Sequence, residues 1–131
     1  MKRLHLVIGL IVFVVFVITG RLMRIDFPDK DIIPQDFRIL VRSRHIYILF
    51  MALLNLLLGS YFRPHKTREA RILQYAGSLV LIISSILCIT AFFLETYSYH
   101  HFSDVSRNGL YTALAGVGLH FLAAIVPEPK E

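Results

Sequence analysis

Catalytic equipment is what this sequence has least of. It carries one cysteine, Cys88, set inside an apolar run. A lone thiol forms no intramolecular disulfide and no CxxC pair, so it reads as a small core residue and says nothing of redox compartment. There is no glycine-rich phosphate loop and no nucleophile–base pair, and the chain is expected not to be an enzyme. No acidic side chain lies in the middle of an apolar run. That excludes a proton-coupled multidrug exporter, in which a buried carboxylate holds drug or proton. Internal repeats are absent, and no polar stretch is long enough to make a second module.

What the chain has is apolar blocks. Hydrophobic residues make up 56% of its 131 positions and the mean hydropathy is +0.63. A soluble chain has about 45–50% apolar residues, spread at helical or strand periods. Here they gather at 4–20, 45–62, 72–94 and 109–126. About 20 apolar residues at ~1.5 Å rise cross a bilayer core, and only helices satisfy a lone segment's backbone there. The expected fold is therefore all-α: a single-domain integral membrane four-helix bundle with antiparallel neighbours. Its centre is residues 42–62, RSRHIYILFMALLNLLLGSYF, where a basic lead-in opens an apolar run interrupted by Asn55. Tyr47 and Tyr61 mark its two ends, as an aromatic belt would.

The first block follows Lys2 and Arg3 like a signal peptide, but Gly20, Arg21 and Leu22 follow it instead of a small-x-small cleavage site. It is expected to be a retained anchor. Pro28 and Pro34 break the next stretch. From Pro34, PQDFRILVR places Phe37, Leu40 and Val41 opposite Asp36 and Arg38, which predicts a short interfacial helix before the second span, with Pro34 at its first position.

The net charge of +5 invites a nucleic-acid reading, yet the basic residues stand at the ends of the apolar blocks. That placement suits lipid headgroups, and no nucleic-acid partner is expected. Arg38, Arg42 and Arg44 on one side, and Arg63, Lys66, Arg68 and Arg71 on the other, are the expected headgroup anchors. Counted by side, seven basic residues face seven. The compact basic loop RPHKTREAR assigns both termini to the cytoplasmic side of what is expected to be a bacterial inner membrane.

Helical spacing then sorts the polar and small residues into stripes. His45, Ala52, Asn55 and Gly59 share one face. Gly77, Ser84, Cys88, Ala91 and Glu95 align on the third block, and Thr112, Gly116, His120 and Ala124 on the fourth. The first offers His5, Gly9, Phe16 and Gly20. Lipid gives no hydrophobic drive for helix association, so small residues meet closely and polar ones bond across. Asn55 is expected to bond Ser84, Ser85 or His120, at about 0.5–2 kcal/mol, in a candidate intramembrane polar site. Replacing Asn55 or His120 by leucine is expected to be mildly destabilising.

Histidine is the remaining chemistry. His120 lies well inside the fourth block, and an intramembrane ionisable group marks a functional site by default. A haem needs two axial ligands at similar depth, which His5, at the membrane edge, and His120 do not obviously supply. His45, His100 and His101 with Glu95 or Asp104 would suit a transition metal by ligand type. The opening HLVIGLIVFVVFVITGRLM, a leading histidine and a glycine-punctuated anchor, resembles segments of bacterial membrane b-type cytochromes. The resemblance covers one helix in four and implies haem, but a second ligand at matching depth is lacking and no site residue is carried over. Three functions follow as expectations. The first is a non-enzymatic accessory or packing subunit of a membrane complex, partnered by another membrane protein or itself. The others are a haem- or metal-binding redox module, and a small transporter or lipid-handling bundle with Asn55 and His120 in a cavity.

Overall fold

A computed structural model describes residues 1–28, 32–97 and 104–127. Among them the chain is all-helical, with α1 at Lys2–Asp26, α2 at Gln35–Tyr61, α3 at Arg68–Tyr97 and α4 at Asp104–Ala124. Pro28, Pro34, Pro64 and Pro127 stand outside these helices. Pro34 caps α2 from outside instead of opening its first turn. The expected lead-in helix forms as the first turns of α2, because nothing between Gln35 and the apolar run interrupts backbone bonding. PQDFRILVR simply continues into α2.

Three helices, α1, α2 and α3, are long and apolar enough to cross a membrane. The 25 residues of α1 rise about 37 Å, about a turn more than a hydrocarbon core of about 30 Å requires. The fourth block departs from expectation. Its helix begins at Asp104, and Arg107, Asn108, three glycines and His120 dilute its apolar character. α4 is held by its partner. Ser84 Oγ donates to the Gly109 carbonyl at 2.7 Å and Ser78 Oγ meets His120 Nε2 at 3.3 Å, so α4 runs antiparallel along α3.

The bundle is two tight hairpins joined at one seam. α1 packs chiefly on α2 and α4 chiefly on α3, and α2 meets α3 between them. Among the described residues no Cα of α1 comes within 8 Å of α4. The array is open on the side that would close a square. The seam holds Val12, Ile48, Met51, Leu81 and Phe92, all buried. Outward faces carry Leu10, Ile11, Val17, Leu57, Ile86 and Leu114, all exposed, as a lipid-facing surface requires.

Glycine sets the closeness of each hairpin. A Cβ on Gly9 would stand 2.8 Å from the Leu56 backbone nitrogen, and one on Gly59 2.7 Å from that of Leu6. On α4 the buried stripe is Ser106, Gly109, Ala113, Gly116 and Ala123, with His120 at its edge. The expected stripe is thus rotated: Gly116 belongs to it, while Thr112 is half-buried and Ala124 exposed.

Candidate functional site

Two clusters of buried polar side chains are separated by Val12, Ile48 and Met51. In the first, α1 supplies His5, α2 supplies Asn55 and α3 supplies Ser85. Asn55 Nδ2 donates to the Met51 carbonyl and to Ser85 Oγ, both at 2.9 Å, and Ser85 passes its own proton to the Leu81 carbonyl. With both amide protons used, Asn55 Oδ1 is an acceptor, so His5 Nδ1 must carry the hydrogen of their 2.8 Å bond. His5 Nε2 then bears a lone pair, and it has no partner. The ring is fully buried, because the close Gly9–Gly59 crossing draws the start of α1 against α2.

Ser84 turns the other way, to the Gly109 carbonyl and Met51 Sδ. His120 is not an Asn55 partner; it meets Ser78 and sets its ring edge-on to Phe62, which also faces His5 at 6.3 Å between centroids. A cavity of about 400 Å³ opens beside it, lined by Leu54, Leu58, Leu81, Arg63 and His120 but not by Asn55. Asn55 itself is fully buried among its partners on α1, α2 and α3.

The second cluster is ionic. Arg44 Nε donates to Glu95 Oε2 at 3.1 Å and Nη1 to the Glu95 carbonyl at 2.9 Å. Glu95 Oε1 accepts the backbone N–H groups of Val105 and Ser106 at 2.7 and 3.2 Å, and Ser106 Oγ donates to Oε2. One carboxylate from α3 thus caps the start of α4 and neutralises an arginine from α2. Arg44 was expected among the headgroup anchors. It is 1% exposed, because a carboxylate from a distant part of the chain meets it inside the bundle. Arg42, Arg63, Lys66, Arg68 and Arg71 are exposed and Arg38 is half-buried.

His45 belongs to neither cluster. Thr19 Oγ1 donates to the Phe16 carbonyl and so accepts from His45 Nδ1 at 3.0 Å, with the imidazole stacked on Phe16 at 4.2 Å. Glu95 is committed to Arg44, and Asp104 pairs with Arg107. His100 and His101 lie outside the described residues. Among those described, no three histidine, cysteine or acidic side chains gather as a metal would need. Sequence reasoning also missed His65. Its Nδ1 accepts the Thr67 N–H, leaving Nε2 to donate to the Val126 carbonyl at 3.1 Å, which ties the α2–α3 loop to the end of α4.

These bonds change the expected mutational pattern. Asn55→Leu strands the buried His5 N–H and should cost about 1–3 kcal/mol, whereas His120→Leu removes one long bond and should cost under about 1 kcal/mol. Denaturation of both variants in matched micelles checks the order. Equal losses would count against the His5–Asn55–Ser85 assignment.

No family model, characterised protein or solved structure matches the chain.

Proposed function

We propose that the protein is a multi-pass integral membrane protein without chemistry of its own, serving as an accessory or packing subunit for another membrane protein or a second copy. The observation that carries this reading is the open side of the bundle. Among the described residues no Cα of α1 comes within 8 Å of α4, and Leu10, Val17 and Leu114 stand exposed on these flanking helices, which leaves apolar surface for a partner helix. Arg44, Glu95, Asn55 and His45 are meanwhile spent on internal bonds, which suits a scaffold. In this reading α4 is a fourth crossing, held at depth by its antiparallel run along α3. Extraction in mild detergent, with particle mass measured directly, is expected to show a dimer or a stoichiometric partner. A strictly monomeric, partnerless particle overturns the reading.

The orientation we propose has both termini and the compact basic α2–α3 loop facing the cytoplasm. Burial of Arg44 against Glu95 supports it, since Arg44 is then not a headgroup-facing charge and six basic residues remain on its side against seven on the other. An Arg68→Cys variant should react with an impermeant maleimide in opened bacterial inner-membrane preparations and not in intact cells. Labelling of intact cells reverses the assignment.

A further inference from the structure

At the other end of the α1–α2 hairpin, a cavity of about 240 Å³ lies between the last turn of α1 and the first two turns of α2. Six of its nine lining residues are apolar and the other three are arginines, Arg24, Arg38 and Arg42. Among the described residues no hydrogen bond or ion pair engages those three guanidinium groups. Asp26 is turned elsewhere, accepting the Tyr97 hydroxyl. The start of α2 adds to the positive field, since its first turn has no side-chain cap, although Asp36 offsets part of it. Phe27 and Phe37 meet edge-to-face at 6.1 Å and make a firm apolar wall beside these charges.

We propose that this cavity holds one anionic phospholipid, its phosphate between Arg24, Arg38 and Arg42 and its upper acyl chain against Phe27, Ile33 and Val41. Planar guanidinium groups suit phosphate oxygens, and three around one hollow form a pocket where scattered anchors would form none. The apolar majority of the wall selects a lipid over a free ion. A volume below that of an ordinary small-molecule pocket, about 300–1,000 Å³, fits the neck of a lipid whose tails stay in the bilayer. The height agrees, because the end of α1 carries Arg21, Arg24 and Asp26 beyond its apolar block, a composition that suits headgroup level.

Native mass spectrometry of the full chain, purified with equal phosphatidylglycerol and phosphatidylcholine, tests this. One phosphatidylglycerol should be retained in preference to phosphatidylcholine. The combined Arg24→Gln, Arg38→Gln and Arg42→Gln variant should bind it on the order of a hundredfold more weakly, at about fivefold per arginine. Ile33→Trp, which fills the hollow and leaves the charges, should also release it. Arg63→Gln, Arg68→Gln and Arg71→Gln together, at the opposite end, should retain it. Retention of both lipids alike, equal loss from the opposite-end variant, or no loss from Ile33→Trp overturns the proposal. Displacement by millimolar glycerol phosphate would make it a free-phosphate site and overturn the lipid assignment. Should the triple variant fail to fold, Ile33→Trp still decides.

Discussion

Glu95→Ala should lower stability by about 3–5 kcal/mol, the largest loss expected from any single side-chain truncation in this chain. Arg44 and Glu95 are 1% and 6% exposed at their side chains, so neither charge has water to fall back on. Removing the carboxylate leaves a guanidinium buried without its counter-charge. It also strips the acceptor from the Val105 and Ser106 N–H groups, which are first-turn donors of α4. Glu95→Gln keeps one acceptor oxygen but turns an N–H₂ toward groups that already donate, and should fall between wild type and alanine. The discriminating variant is Arg44→Met with Glu95→Met. It discards both charges, strands neither, and should be less damaging than Glu95→Ala despite carrying two substitutions. What it still loses is the cap, at about 0.5–2 kcal/mol. Unfolding by SDS or heat in matched micelles measures all three. If the double variant proves the least stable, the pair is a net source of stability and the stranded-charge argument fails.

Much of this architecture was legible in the residues, for reasons that locate what was not. The apolar blocks and the prolines at 28, 34, 64 and 127 are local signals, and α1, α2 and α3 sit where those signals put them. Asn55 stood out because a lone amide in an apolar run must find a partner. Arg44 did not stand out, since an arginine ahead of a span is ordinarily an anchor. Yet 44, 48, 51 and 55 step by four, three and four, which is the buried face of α2. The spacing could have found Arg44. The carboxylate 51 positions away that permits its burial could not be found from spacing. The start of α4 was hidden by the same fact: its cap comes from Glu95 on another helix, so residues 104–108 look like loop. The α4 stripe was rotated because a strict four-residue step through 112, 116, 120 and 124 drifts off the face of 106, 109, 113, 116 and 123. Gly116 lies on both: a Cβ there would strike Leu81 at 2.7 Å, while one on Gly118 would meet nothing within 4 Å.

That contrast among glycines gives the second large effect. Gly9→Ala and Gly59→Ala each place a methyl group against main chain, at 2.8 Å from the Leu56 nitrogen and 2.7 Å from the Leu6 nitrogen. A flexible side-chain tip could swing aside, but a helix backbone yields only by moving the whole helix. Each substitution should therefore cost about 1–3 kcal/mol through overpacking and push the start of α1 away from α2. His5 and Asn55 bridge the same end of the hairpin, so their 2.8 Å bond should lengthen with the displacement. Slowed solvent exchange of the His5 ring proton in the wild type, and faster exchange in both variants, would report it. Gly118→Ala is the control, because the position is open and alanine is a better helix former by about 1 kcal/mol. It should leave the protein as stable as wild type or more so. If Gly9→Ala and Gly59→Ala match Gly118→Ala in stability and in His5 exchange, then α1 does not lie backbone-close on α2, and the burial of His5 that depends on that contact goes with it.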